Sequence, residues 1–270
     1  LCLSFILMLL LVSNLQKTTV VVKSHGYWPR AEGESLPAPA PKNALHGNRY
    51  ICHELYKNIG KMGQSALREK SVCIIGLGGL GCVCSEMLVR AGVGRLRVID
   101  NEMVGVSSQH DLYTRTDAMQ TRAGTAERRL SQINSEVKVE GHEVRLHKDN
   151  LNVLDCDIVL DCSNDLETSH MVEDYCLDRD IPIVYAATQE DKCNSMVIKH
   201  GHGCLRCARV AKRHKKSSIE TTHMAASLQV VFALKLLLGK RLERKAAIVD
   251  MDKLQLTMHS IRKKCGHCGS

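Results

Sequence analysis

Between residues 72 and 185 the apolar positions of this chain come in short runs separated by longer segments of mixed character. The runs 72–75, 96–99, 157–161 and 182–185 read as strands, the third apolar enough to be buried on both faces, and Val137-Lys138-Val139 as one more. Between them the apolar positions fall at helical intervals: Met87, Leu88 and Ala91 after the first run, then Met119, Ala123, Ala126, Leu130 and Ile133 over 118–133, then a helix over 166–179. Ahead of the first strand, Leu55, Ile59, Met62 and Leu67 form a stripe interrupted by Gly60 and Gly63, which predicts a pair of short helices. Residues 101–116 are turn-rich. Strand and helix alternating in this way predict an α/β fold, a doubly wound, Rossmann-like, mostly parallel sheet with right-handed crossovers.

The junction between the first strand and its helix is Gly76-Leu77-Gly78-Gly79-Leu80-Gly81. Gly76 permits a tight turn, Gly78 lets the backbone approach a phosphate, and Gly81 allows close packing of helix on strand, so that an anion can rest on the helix N-terminus. The second apolar run then delivers Asp100, nineteen residues beyond Gly81, where a carboxylate can accept hydrogen bonds from a ribose. The bland alternative is a glycine turn with only a packing role.

Composition narrows the choice. A chain of 270 residues with 44% hydrophobic residues can bury a full core. The net charge of +8 is partly local, since Arg206, Arg209, Lys212, Arg213, Lys215 and Lys216 fall within eleven residues and read first as a solvated loop and second as a partner-binding patch. Aromatic residues make up only 3%, so the stacking platforms of single-strand nucleic-acid binders are missing and no nucleic-acid partner is expected. Residues 1–12 are apolar but too few to cross a bilayer. They suit the hydrophobic part of a signal peptide without its charged start or cleavage site, which leaves targeting open. Residues 25–47 hold four of the five prolines and read as an extended linker, giving an N-terminal stretch 1–47 and a domain 48–270.

Cysteine supplies the second constellation. Cys204-Leu205-Arg206-Cys207 and Cys265-Gly266-His267-Cys268 are two C-x-x-C knuckles with 57 residues between them, able to close a tetrahedral zinc site with no open position. Two unrelated pairs or a redox disulfide are the alternatives. The other nine of the 13 cysteines show no framework spacing, which fits a reducing compartment and a cytoplasmic location. Cys193, in a polar stretch, reads as an ordinary loop cysteine, with a reactive thiol as the alternative.

From Arg49 to Cys268 the chain resembles the ThiF/MoeB/HesA-type adenylyltransferases related to the ubiquitin-activating enzymes. The resemblance is carried by Arg49-Tyr50, Gly63-Gln64, the whole glycine run, Ala91-Gly92-Val93-Gly94, Val98-Ile99-Asp100, Ile133-Asn134, Asp161-Cys162, both knuckles, and Ala226-Ser227-Leu228-Gln229 opening a helix that ends at Leu238-Gly239. It implies ATP with Mg2+ at the glycine turn, Zn2+ at the knuckles, and adenylation of the C-terminal glycine carboxylate of a ubiquitin-like or sulfur-carrier protein. It also implies that Gly76, Gly78, Gly79, Gly81, Asp100 and Asn164 hold the nucleotide, that Arg122 and Asp165 act in catalysis, and that members commonly form homodimers.

Several positions depart from the family pattern. Its arginine after the Arg-Tyr pair falls on Cys52, its Ser-Asn and arginine fall on Ser107-Ser108-Gln109-His110-Asp111, its lysine falls on Arg122, and its magnesium aspartate falls on Asn164 with Asp165 beside it. Each missing phosphate-side or metal-side group implies a rate loss on the order of a hundredfold. Residues 208–264 contain no cysteine, so transfer to an internal thiol there is not expected. Three readings follow: a divergent adenylyltransferase working through Arg122, Asp100 and Asp165; an impaired relative serving as a binding or scaffold subunit; and an NAD-dependent oxidoreductase that uses the same turn.

Overall fold

The computed structural model describes residues 48–105, 112–208, 217–261 and 265–268. Residues 1–47, with the apolar start and the proline linker, lie outside them, as do Ser108, His110 and most of the basic run.

Eight strands form one sheet in the order β3-β2-β1-β4-β5-β6-β7-β8. Its parallel part consists of β1 (Ser71–Ile75), β2 (Arg95–Ile99), β3 (Lys138–His142), β4 (Ile158–Asp161) and β5 (Ile183–Gln189). Three antiparallel strands complete it: β6 (Lys192–Ile198), β7 (Lys245–Asp250) and β8 (Gln255–Ser260). The helices are α1 (Ile51–Leu55), α2 (Gly60–Arg68), α3 (Gly79–Ala91), α4 (Arg122–Ile133), α5 (Leu166–Asp178), α6 (Leu205–Ala208) and α7 (Ile219–Leu237).

Alternation along each strand divides the core in two. Val72, Ile74, Val98, Leu160 and Val184 face the layer of α3, α4 and α7. Cys73, Ile75, Val159, Ile183 and Tyr185 face the layer that holds Val172 and Cys176 of α5 and the four knuckle cysteines. Every residue of β4 is buried, as expected of a parallel strand covered on both sides. The predicted doubly wound sheet is therefore present. The antiparallel extension was not legible, because β8 carries polar and apolar residues that are mostly exposed.

Three sequence expectations need correction. The stripe ahead of β1 does not bury as a unit: Leu55 is 78% and Met62 89% exposed, whereas Leu67 is in the core. Met62 and Leu67 both lie in α2 but about 140° apart around it, and Gly60, at φ +67°, separates Leu55 of α1 from both. The helix expected from residue 118 begins at Arg122; Met119 takes a left-handed φ of +66° and is 78% exposed. Finally, Ala226–Gln229 lie inside α7, which starts at Ile219 under a Ser218 cap whose hydroxyl accepts from the Thr221 N–H.

Candidate active site

From β1 the chain proceeds through β2 to β3 on one side and returns to β4 and β5 on the other, so β1 and β4 flank the topological switch point, where open α/β sheets bind ligands. A cavity of about 570 Å³ lies there, outside the carboxyl ends of the strands. Gly76 and Gly78 after β1, Asp100 and Glu102 after β2, and Asn164 and Asp165 after β4 are on its wall. Arg122 and Arg145 also line it.

Geometry accounts for the glycines individually. Gly76 takes φ +86°, and a Cβ there would sit 2.7 Å from the Cys162 carbonyl oxygen. At Gly81 a Cβ would lie 1.8 Å from the Gly76 oxygen, which only glycine avoids. Gly78 is the N-cap of α3, offers no side-chain cap, and would meet nothing within 4 Å. Among the described residues no side chain caps the first turn of α3, whose backbone N–H groups lie beside an open face, as an anion site requires. Gly79 and Gly81 stand within α3 and off the cavity wall.

Asp100 is already at work. One of its oxygens accepts the Leu77 N–H at 2.6 Å and the other the Glu102 N–H at 2.7 Å, so the carboxylate braces the glycine turn. Asp100 also lines the cavity. Arg122 opens α4, donates its N–H to the Glu102 carbonyl at 2.9 Å, and places Nη1 2.5 Å from Glu102 Oε2 and 3.7 Å from Asp100 Oδ2. Its Nε is buried with no hydrogen-bond partner among the described residues.

After β4 the backbone is held tightly. Asn164 adopts φ +54°, a left-handed conformation that asparagine tolerates and most residues do not. Asp165 caps α5, accepting from the Thr168 hydroxyl at 2.6 Å and its N–H at 3.0 Å. Those bonds from Thr168 outweigh burial and hold the Asp165 carboxyl below the usual carboxylate range. Beneath this loop Gln229 of α7, fully buried, donates to the carbonyls of Asp161 and Val184 at 3.1 and 2.7 Å. Its oxygen accepts from the Cys84 and Cys162 thiols, both at 3.3 Å.

The knuckles also meet. Cys204 Sγ lies 3.4 Å from Cys265 Sγ, and Cys268 Sγ lies 3.6 Å from those of Cys207 and Cys265. All four sulfurs are within 4.8 Å of one another. Glu173, wholly buried on α5, accepts the Leu205 N–H at 2.5 Å and lies 3.6 Å from His267 Nε2, tying both knuckles to that helix. Cys193 is neither a loop residue nor a reactive thiol: it sits buried in β6, and burial pushes its pKa up to about 11.

The structure therefore brings Gly76, Gly78, Asp100, Arg122, Asn164 and Asp165 around one space and the four cysteines around another. Sequence reasoning missed Glu102, whose signal was an acid two places after Asp100, and Arg145, for which spacing offered none. Among the described residues no helix is long and apolar enough to cross a membrane.

Known proteins match this arrangement. The ThiF family model matches residues 52–269. The sulfur carrier protein ThiS adenylyltransferase of Bacillus subtilis is 32% identical over 240 residues, covering 82% of this chain and 71% of the relative. A sulfur carrier protein adenylyltransferase of Thermus thermophilus is 35% identical over 170 residues, covering 59% of this chain and 63% of its own length. Among solved structures, E. coli MccB with succinimide superposes with a TM-score of 0.75 at 21% identity, over 84% of this chain and 75% of that one, and so shares the fold. With a family model spanning nearly all of the described residues and a relative matched over most of both lengths, the chain belongs to the ThiF family.

Proposed function

We propose that this chain uses ATP to adenylate the C-terminal carboxylate of a sulfur-carrier or ubiquitin-like protein. The observation that carries the reading is the switch-point cavity, in which the open Gly78 cap, Asp100 and Arg122 share one wall. Carboxylate attack on the α-phosphorus forms a new P–O bond and breaks the one to pyrophosphate. Two anions must approach each other, so donors fixed in advance are worth more than mobile ones. The uncapped N–H groups of α3 receive phosphate oxygens, the Arg122 guanidinium offsets their charge, and Asp100 orients the ribose.

Asp165, ionised at neutral pH, presents a hard oxygen donor on that wall, which suits magnesium. Bound with the nucleotide, magnesium supplies charge neutralisation between the reacting groups. At the knuckles, a tetrahedral zinc ion with bonds of about 2.3 Å needs sulfurs about 3.8 Å apart, close to the spacing of the four cysteines. The site is closed and structural, and it fastens the residues after β8 to α5 and α6. Buried thiols outside the cluster suit a reducing, cytoplasmic setting.

A second reading has its own support. Arg122 is paired to Glu102 and Asp165 is committed to capping α5, so a nucleotide-binding subunit with little chemistry is consistent with the site. Family membership favours either over the oxidoreductase. Exchange of labelled pyrophosphate into ATP, driven by a sulfur-carrier protein with a free Gly-Gly end, decides between them. Adenylation predicts exchange that falls about a hundredfold or more in Arg122→Ala. Retained ATP binding without exchange for every carrier supports the binding subunit.

A further inference from the structure

The cavity carries an unfavourable charge balance for a polyanion. Among the described residues on its wall, the carboxylates of Asp100, Glu102 and Asp165 outnumber the guanidiniums of Arg122 and Arg145. The cation best placed beside the glycine turn is moreover engaged: Arg122 Nη1 is 2.5 Å from Glu102 Oε2, with the Arg122 side chain 19% and the Glu102 side chain 65% exposed. The buried Nε of Arg122 has no hydrogen-bond partner among the described residues, so its guanidinium retains an unmet donor beside this pair.

We propose that Glu102 makes the site selective for the magnesium complex of ATP over the bare triphosphate, by holding Arg122 until a phosphate displaces it. The inference rests on the nucleotide reading above. A phosphate that takes Arg122 leaves the Glu102 carboxylate beside the new anion, near Asp100. Without a cation, that displacement exchanges one favourable pair for another and adds repulsion between phosphate and carboxylate. A divalent cation carried on the phosphates lowers their charge and makes the released carboxylate an attractive neighbour. Glu102 thus weighs most against the form of the nucleotide that could not react.

Titration calorimetry on the full chain tests this, with ATP in magnesium-free buffer cleared by a chelating resin and with MgATP, both at low salt. A soluble chelator is avoided because it would strip the cysteine site. Glu102→Gln removes an exposed charge, and its melting temperature should match that of the parent. The variant is expected to bind bare ATP about threefold to tenfold more tightly while MgATP changes less than about twofold. In an Arg122→Gln background the same substitution should bring a smaller gain for bare ATP, because it then relieves repulsion alone and no longer frees a guanidinium. Equal gains for both forms, no gain for either, or a gain undiminished by the loss of Arg122 would each overturn the inference. Parent protein that binds neither form would instead remove the nucleotide reading itself, a result distinct from any of these.

Discussion

The cysteine cluster and the switch-point cavity are built in opposite ways. The cluster takes four identical side chains from two knuckles, 204–207 and 265–268, and each knuckle supplies two of them through local geometry alone. The cavity draws on segments after β1, β2, β3 and β4 and on the start of α4, and two of its carboxylates, Asp100 and Asp165, are already engaged by the backbone. A site made of one ligand type tolerates drift around it and fails at once when a ligand is lost. A site assembled from strand ends tolerates many side-chain changes but depends on close backbone approaches.

The largest expected effect tests the cluster. Cys265→Ser should lose zinc, read by metal analysis, and destabilise the chain by on the order of 4 kcal/mol in thermal unfolding, because ligand loss removes folding energy directly. Undiminished zinc would break the comparison.

Next come two glycines of the run after β1, three residues apart. Gly81→Ala places a methyl 1.8 Å from the Gly76 oxygen and should cost about 3 kcal/mol. Gly78→Ala meets nothing within 4 Å and should keep the parent melting temperature while ATP binding weakens, since the new methyl intrudes where phosphate would approach. If both variants were equally unstable, Gly78 would be a packing residue and the open cap an illusion.

The smallest effect concerns pH. Asp117 ends the short 3-10 turn that precedes α4, the helix carrying Arg122. Burial pushes its carboxyl up, but the Thr114 N–H and hydroxyl and the Arg129 guanidinium outweigh that and hold it below the usual range. Its stabilisation is complete above the unfolded pKa of about 3.9 and disappears as pH falls through the lower folded value. The melting-temperature advantage of the parent over Asp117→Asn at pH 7 should therefore narrow below about pH 4. An advantage unchanged in acid would mean that Asp117 stabilises by shape and not by charge.

How much of this was legible depended on range. β1, its glycine run and α3 were readable because turn, cap and packing are decided within a dozen residues, and the knuckles were readable because C-x-x-C spacing is itself a geometry. The start of α4 was not, since Thr121 and Arg122 are fixed by the Glu102 and Glu143 side chains and the Glu102 carbonyl across a loop. Nor was the antiparallel edge, where β8, the last strand of the sheet, pairs with β7 and shows exposed Leu256 and Met258. Asp100 was assigned to a ligand, and its bonds to Leu77 and Glu102 give it a structural task as well.

Local pattern alone determined that this chain winds a parallel sheet around a glycine turn and that two cysteine pairs are shaped for one metal. Only the tertiary structure decided that Arg122 would meet Glu102, that Asn164 and Asp165 would reach the same space as Gly78, and that Gln229 would bond the Asp161 and Val184 carbonyls. Periodicity and spacing encode contacts within one or two elements, whereas those partners lie on different strand ends and helices, so their meeting depends on sheet order and register.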